Sequence, residues 1–315
     1  MRCVANAAYR TTAAGEHGLV EQGSSGTCGT LEQDNKRNYI CSREQVSKMR
    51  RIAITWPSGC QPVRPVTELL RRRRAHGHGA PTPMRLCFVG DSLVWQQFYG
   101  LECQLEAAGL LRNRSIDSTY EHPGYHSQPT GITTNAEGLE LRFVFTALTR
   151  ELRNRRVTTG KLQGLLQGVA PPWCSMEWPL DVRTLRRFCG EKPPDALIFN
   201  LGAAHCILHV PGRPMNRSGL VIALERAAAT VAEYTGEKAV TQSWHASTYR
   251  TNKEIAWCAD VEAAFTSRTT SFKLLDLRTL TTKPPAAVRS DGIHLCIPGV
   301  PSALMSAWMT HSGLF

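Results

Sequence analysis

The chain has 315 residues, 42% of them hydrophobic, so it can bury the core of one sizeable domain, or of one domain with an elaborated N-terminal part. Its formal net charge of +11 is uneven, since residues 1–80 hold 13 Lys and Arg against 6 Asp and Glu. A basic surface of this kind usually keeps a protein soluble, and no motif in the sequence indicates a nucleic-acid partner. No apolar run approaches the ~20 residues that a membrane-spanning helix needs.

Eleven cysteines are spread along the chain without a Cys-x-x-Cys pair, which favours disulfide bonds in an oxidising compartment over zinc ligation. The odd number leaves at least one cysteine free or bonded to another chain. Two glycosylation sequons, Asn113-Arg-Ser115 and Asn216-Arg-Ser218, also fit a secreted protein. The segment that starts at Met1 lacks the apolar core of a signal peptide. An intracellular protein and a sequence that lacks its first exon therefore both stay open.

Residues 1–80 are predicted to form a basic, loop-rich region that packs on or leads into the main domain, residues 81–315. Residues 1–50 are polar and lack periodicity, which indicates loop or partial disorder. A short apolar stretch, Ile52–Cys60, ends in a turn. A helix is predicted over Val66–Arg74, and its final run of four arginines is interpreted as a solvated helix end rather than a polyanion-binding patch.

From Met84 onward, apolar runs alternate with helical patterns, which predicts a parallel, doubly wound α/β sheet flanked by helices. Ligands of such sheets bind beyond the carboxyl ends of the strands. The predicted strands are Leu86–Val89, Leu141–Thr146, Ala196–Leu201, Ala239–Ser243 and Phe272–Leu277. The predicted helices are Ser92–Ala108, Leu180–Phe188, Gly219–Tyr234 and Pro301–Thr310.

The most informative stretch joins the first of these strands to a helix. The apolar run Leu86–Val89 breaks at Gly90-Asp91-Ser92, and a helical pattern follows. A serine at such a turn projects its hydroxyl beyond the sheet edge, where the first N–H groups of the helix can stabilise an oxyanion. Ser92 is therefore a candidate nucleophile, with an ordinary helix-capping serine in a phosphate-binding turn as the alternative.

A serine nucleophile needs a base, and His294 is the strongest candidate. Asp291 lies three residues earlier, a spacing that lets its carboxylate meet the second nitrogen of the imidazole. The carboxylate would hold the tautomer and stabilise the imidazolium that forms when Ser92 loses its proton. This segment follows the last predicted strand, so it too should reach the carboxyl edge of the sheet. The alternative is an ordinary surface turn.

Gly90-Asp91-Ser92-Leu93 and Asp291-Gly-Ile-His294 together resemble the SGNH/GDSL hydrolase superfamily, and within it the PC-esterase branch. That branch includes the plant trichome birefringence-like polysaccharide O-acetyltransferases. The likeness covers roughly residues 50–315. Further matches to blocks of the branch are Phe88–Leu93 with Cys103 on the following helix, Cys296-Ile-Pro-Gly-Val-Pro301, Trp56-Pro-Ser-Gly-Cys60, Ile198-Phe-Asn-Leu-Gly202 and Leu274-Leu275-Asp276.

The resemblance implies a three-layer SGNH-hydrolase-like fold and a serine enzyme that forms an acyl-Ser92 intermediate. His294 would act as base and then as acid, and Asp291 would orient it. The acyl group, most simply acetyl, would pass to a hydroxyl of a polysaccharide or glycan. Transfer to water, as in a carbohydrate esterase or deacetylase, and a catalytically silent glycan-binding relative are the alternatives. No cofactor or metal is implied beyond an acyl donor as co-substrate.

The same resemblance implies a location in the secretory pathway, the Golgi above all, or outside the cell. Cysteines of the family form disulfides, and a bridge to Cys296 would brace the loop that carries His294. The resemblance implies that Cys60, Cys103 and Cys296 are paired. Their partners are expected among three cysteines near the N-terminus, in an order that stays open: Cys3, Cys28 and Cys41.

The chain departs from the superfamily after its middle strand, where an asparagine two residues beyond a glycine normally completes the oxyanion hole. After Gly202 this chain has Ala-Ala-His205, so His205 is the candidate for a shifted equivalent. A metal site formed by His205, Cys206 and His209 is the weaker interpretation, because no second ligand pair lies nearby. Residues expected to contact the oxyanion or the substrate are Gly90, Asp91, Asn200, Gly202 and His205.

Three tryptophans are candidates either for stacking on a sugar ring or for packing in the core: Trp173, Trp178 and Trp244.

Overall fold

A seven-stranded sheet lies at the centre of the protein in the computed structural model. A separate antiparallel pair comes first along the chain, β1 (Ala8–Thr11) and β2 (Ile52–Thr55). The strands of the large sheet are β3 (Met84–Gly90), β4 (Leu111–His122), β5 (Tyr125–Ala136), β6 (Leu139–Phe145), β7 (Ala196–Asn200), β8 (Thr241–Ala246) and β9 (Lys273–Asp276). The residues that the structure describes are 6–13, 19, 28–30, 39–76, 82–122, 125–146, 180–200, 217–236, 241–246, 260–261, 264–265, 268, 273–276, 279–280, 284–289 and 294–315.

The order across the large sheet is β4-β5-β6-β3-β7-β8-β9. The strands from β6 to β9 in this order run parallel, and the β4–β5 hairpin adds two antiparallel strands beyond β6. Strand β3 pairs with β6 on one side and with β7 on the other, which explains its nearly continuous apolar sequence. Because the parallel strands end at one edge, Gly90 lies beside Phe145 and Asn200.

Helices cover both faces of the sheet. Neighbouring residues of a strand point to opposite faces, and two neighbours in β3 contact different helices. Phe88 packs against Phe98, with ring centroids 5.5 Å apart, whereas Cys87 is disulfide-bonded to Cys189. The sheet is therefore the middle of three layers. The described helices are α1 (Arg43–Met49), α2 (Val66–His76), α3 (Ser92–Ala107), α4 (Val182–Cys189), α5 (Arg217–Thr235) and α6 (Val300–His311).

Helix α3 is buried on all sides from its first residue to Leu105, so its sequence lacks a polar face. It packs closely against α6 because Gly100 has no side chain. A Cβ atom at Gly100 would lie 2.8 Å from the backbone nitrogen of Ser302 and 2.9 Å from the carbonyl carbon of Pro301. Further along, the Gln104 amide donates to the Ser302 carbonyl at 2.5 Å and accepts from the Ser306 hydroxyl at 3.1 Å.

The region before β3 shares the hydrophobic core of the sheet domain. Leu69 of α2 is buried in that core. The Tyr9 hydroxyl donates to the carbonyl of Leu280 at 2.8 Å, and burial raises the pKa of Tyr9 well above its usual value. A disulfide bond joins Cys28 to Cys103 on α3. In the described part of the chain, no helix has the length and apolar character that spanning a bilayer requires.

The predicted α/β architecture is confirmed at its five parallel strands, but the sheet as a whole is mixed because of the hairpin. Strand β4 of the hairpin escapes prediction because it is an edge strand whose described side chains are mostly exposed, so its sequence shows no apolar alternation.

The loop prediction for residues 1–50 is wrong at β1 and α1. Helix α1 begins with a capping box: the Ser42 hydroxyl accepts from the Gln45 backbone at 3.2 Å, and the Gln45 side chain accepts from the Ser42 backbone at 2.8 Å. A serine followed three residues later by glutamine is a local signal for a helix start.

Replacing Gly100 with alanine tests how closely α3 approaches α6. Alanine at an open helical position stabilises by about 1 kcal/mol relative to glycine. Here the added methyl meets backbone atoms of α6, and we expect a net destabilisation of about 1–3 kcal/mol. The midpoint of urea unfolding measures the change. A Gly100→Ala variant more stable than the wild type would contradict the close contact.

Candidate active site

The turn between β3 and α3 is fixed by the ends of the two neighbouring strands. The backbone N–H of Asp91 donates to the carbonyl of Asn200 at 3.2 Å, and the N–H of Thr146 donates to the carbonyl of Gly90 at 2.9 Å. Gly90 cannot be replaced without moving β7, because its Cβ would lie 1.7 Å from the Asn200 carbonyl oxygen. The position of Ser92 is therefore set by the sheet.

Asp91 caps the helix that Ser92 begins. Its carboxylate accepts a hydrogen bond from the backbone N–H of Leu93 at 2.9 Å, and the side chain is 1% exposed. An aspartate at this position satisfies an N-terminal N–H group and interacts favourably with the helix dipole. Asp91 thus helps to build the turn, and Ser92 occupies the first position of α3, where the helix terminus favours negative charge.

The structure brings His294 against Ser92. The imidazole Nε2 lies 2.8 Å from the Ser92 hydroxyl oxygen, although the two residues are 202 positions apart in the chain. Ser92 is 9% exposed and His294 is 8% exposed. With Nε2 in its unprotonated tautomer, the imidazole accepts the serine proton, so this pair has the geometry of a nucleophile with its general base.

The loop that carries His294 is bonded to a short 3-10 helix, Ala286–Val288, and to the residue that follows it. Leu295 forms an antiparallel bridge with Arg289, and the Cys296 N–H donates to the carbonyl of Val288 at 2.9 Å. A few residues later α6 begins and packs along α3. Both ends of the loop are therefore attached to the fold.

A segment from the N-terminal region, Tyr39–Cys41, forms the other support of this loop. Ile40 and Ile297 form a parallel bridge. The Ile297 N–H donates to the Tyr39 carbonyl at 2.7 Å, and the Cys41 N–H donates to the Ile297 carbonyl at 2.9 Å. A disulfide bond between Cys41 and Cys296 joins the same two segments covalently. The expected bridge to Cys296 is confirmed.

The Tyr39 ring forms one wall of the candidate site. It meets the His294 imidazole edge to face, with ring centroids 4.7 Å apart and an interplanar angle of 74°. It also contacts Trp95, on α3, at a centroid distance of 5.9 Å. The imidazole therefore lies between the Ser92 hydroxyl and an aromatic ring from a distant part of the sequence. Tyr39 escapes prediction because residues 1–50 show no local pattern.

The predicted disulfide cysteines are all bonded. Cys103 pairs with Cys28 and Cys296 pairs with Cys41, two of the expected partners. Cys60 is also disulfide-bonded. The structure adds a pair that the sequence did not indicate, Cys87–Cys189. Together these bonds indicate an oxidising environment, secretory or extracellular.

Other predicted site residues divide into two groups. Gly90, Asp91 and Asn200 lie at the turn described above. Outside the described residues lie Asp291, Gly202, His205, Cys206, His209, Trp173 and Trp178, and the Trp244 side chain is likewise not described.

Within the described part of the chain, no three His, Cys, Asp or Glu side chains come together as metal ligands. The sequon residue Asn113 is exposed on β4, and Asn216 lies outside the described residues.

A fluorophosphonate probe tests the reactivity of Ser92, because it phosphonylates serines whose hydroxyl is activated by a base. We expect a single adduct on Ser92 in the wild-type protein. His294→Gln should lower the labelling rate by about 100-fold or more, since general-base catalysis is worth ~10²–10⁴-fold. Intact-mass spectrometry measures the rate, and Ser92→Ala identifies the site. An adduct that forms equally fast in His294→Gln would contradict the pairing.

Breaking Cys41–Cys296 tests whether the N-terminal segment positions the imidazole. We expect Cys41→Ser/Cys296→Ser to label at Ser92 about 10-fold or more slowly, because misplaced groups lose much of their catalytic effect. Cys87→Ser/Cys189→Ser is the matched control, because the loss of either disulfide should lower the free energy of unfolding by roughly 2–5 kcal/mol. Thermal melting measures stability and mass spectrometry measures labelling. Equal labelling rates in the two variants would refute the bracing role.

The geometry is the basis for interpreting this site. No family model matches the chain, and no curated protein or solved structure matches it.

Proposed function

We propose that the protein is a serine O-acyltransferase, most simply an O-acetyltransferase, that modifies hydroxyl groups of a polysaccharide or glycan. The observation that carries the proposal is the 2.8 Å contact between His294 Nε2 and the Ser92 hydroxyl oxygen. Its position supports the proposal further. The pair lies at the carboxyl edge of the parallel strands and at the N-terminus of a buried helix, where α/β folds bind ligands and stabilise negative charge.

In the first step of the proposed reaction, the Ser92 oxygen attacks the carbonyl carbon of the acyl donor while its proton passes to His294 Nε2. The tetrahedral intermediate collapses, and the imidazolium returns that proton to the leaving group. Acyl-Ser92 is the product of this half-reaction. Asp291 would hold the second ring nitrogen and stabilise the imidazolium.

In the second step, a sugar hydroxyl gives its proton to His294 Nε2 and attacks the acyl-Ser92 carbonyl. Ser92 then leaves with the proton that the imidazole holds. The same base and acid therefore serve both halves, so the net reaction moves the acyl group from donor to acceptor and regenerates the free serine. The protons and bonds of the two steps balance without a metal or cofactor.

The oxyanion of each tetrahedral intermediate needs donors aimed at it. The backbone N–H of Ser92, at the start of α3, is the first donor in the proposal. A second donor is assigned to the segment that contains Gly202 and His205, which follows the buried Asn200 at the end of β7. This is the position at which the SGNH/GDSL superfamily places its oxyanion asparagine.

Transfer to a sugar is favoured over transfer to water because the reacting pair is shielded. Ser92 and His294 are each less than one-tenth exposed, and the Tyr39 ring covers the imidazole. A site that excludes water protects an acyl-enzyme from hydrolysis until an acceptor binds. The disulfides fit the oxidising compartments, the Golgi or the cell exterior, in which glycans are modified.

Incubation with p-nitrophenyl acetate, with and without a panel of oligosaccharides, tests the proposal. We expect p-nitrophenol release, an acetyl adduct on Ser92 and acetylated oligosaccharide, all absent in Ser92→Ala. Absorbance follows the ester, and mass spectrometry follows the adduct and the sugar.

Acetate release without sugar acetylation would instead indicate an esterase or deacetylase. No adduct and no turnover, with the wild type indistinguishable from Ser92→Ala, would contradict an enzyme and leave a glycan-binding relative.

A further inference from the structure

One side chain of α3 binds the backbone directly beside His294. The Gln96 amide nitrogen Nε2 donates to the carbonyl of Leu295, and the amide oxygen Oε1 accepts from the N–H of Leu295 at 3.2 Å. Gln96 therefore satisfies both backbone groups of one residue. It is 3% exposed, and it lies one helical turn after Ser92.

We propose that Gln96 is a positioning residue, which fixes the His294 backbone so that the imidazole stays against the Ser92 hydroxyl. This positioning role rests on the proposed function, and the two hydrogen bonds between Gln96 and Leu295 support it. Residues four apart in a helix lie on the same face. Ser92 and Gln96 thus face the same loop. Ser92 contacts the His294 ring, and Gln96 bonds the backbone of Leu295.

The chemistry of this position favours an amide. A primary amide offers a donor and an acceptor side by side without charge, which is what the N–H and carbonyl of one residue require. On the other edge of the loop, the Cys296 N–H donates to the Val288 carbonyl at 2.9 Å. The loop is consequently bonded along both edges, and Gln96 supplies the bonds at Leu295, the residue next to His294.

Gln104 provides a matched comparison on the same helix. It too is buried, at 4% exposure, and its amide also bonds the segment that follows His294, through Ser302 and Ser306. In the described part of the chain its side chain hydrogen-bonds Ser302 and Ser306, whereas Leu295, beside His294, is bonded by Gln96. Loss of the Gln104 amide should weaken the α3–α6 contact, whereas loss of the Gln96 amide should release the loop beside His294 and displace the imidazole.

The test compares Gln96→Met and Gln104→Met with the wild-type protein, since methionine keeps the length of the side chain and removes both hydrogen-bonding groups. Three properties are measured: the rate at which a fluorophosphonate labels Ser92, kcat and KM for p-nitrophenyl acetate, and the NMR shifts of the His294 ring nitrogens. Thermal melting shows whether both variants fold and lose similar stability.

We expect Gln96→Met to lower both the labelling rate and kcat on the order of 100-fold, with KM unchanged, because small displacements of a catalytic group cost about that much. The NMR shifts of the His294 ring nitrogens should change, because the imidazole is no longer held against the Ser92 hydroxyl. Gln104→Met should match the wild type in all three properties at a similar loss of melting temperature.

Wild-type labelling and kcat in Gln96→Met, or equal losses in the two variants, would overturn the proposal. A wild-type protein that neither labels nor turns over ester would contradict the proposed function separately. The ring-nitrogen shifts decide the positioning role in that case too, and unchanged shifts in Gln96→Met would reject it.

Discussion

The contact between Ser92 and His294 depends on holding together two segments that lie 202 residues apart. Closing a loop of that size costs conformational entropy, and a single hydrogen bond contributes only about 1 kcal/mol net. The fold therefore supplies the restraint elsewhere. The ends of β6 and β7 fix the Gly90–Ser92 turn, and a disulfide, a strand-like bridge and the Gln96 amide fix the His294 loop. These restraints hold the two segments, and the Ser92 hydroxyl and the His294 imidazole lie 2.8 Å apart between them.

The N-terminal region is part of this restraint. Tyr39 contributes a ring against the imidazole, and Cys41 contributes half of the disulfide beside it. A second disulfide, Cys28–Cys103, attaches the same region to the helix that begins with Ser92. The predicted division at residue 80 therefore separates two stretches of sequence, but the described site draws on both. The basic charge of residues 1–80 does not predict these contacts with the site, because they are made by an aromatic ring, two cysteines and backbone groups.

The sequence predicts the strand, turn and helix around Ser92 because those signals are local: an apolar run, a glycine and a helical pattern. It also predicts the bridge to Cys296, but through a family likeness rather than through spacing. Tyr39, Gln96 and the Cys87–Cys189 bond are not predictable in this way, since each depends on which distant backbone or side chain comes near. Periodicity places Gln96 on a helix and cannot say that its amide meets Leu295. The edge strand β4 escapes prediction for another reason, because an exposed strand needs no apolar alternation.

In the proposed reaction, burial of the Ser92–His294 pair would also affect how long an acyl group on Ser92 survives. Ser92 and His294 are each less than one-tenth exposed, and the Tyr39 ring contacts the imidazole, so in the proposed reaction an acyl-enzyme would meet little water there. The segment that provides this ring is the segment that the Cys41–Cys296 bond attaches to the His294 loop. One covalent restraint thus serves both alignment and shielding. In the proposed reaction, loosening it should slow acylation and also expose the intermediate to hydrolysis, because the same ring would move away from both.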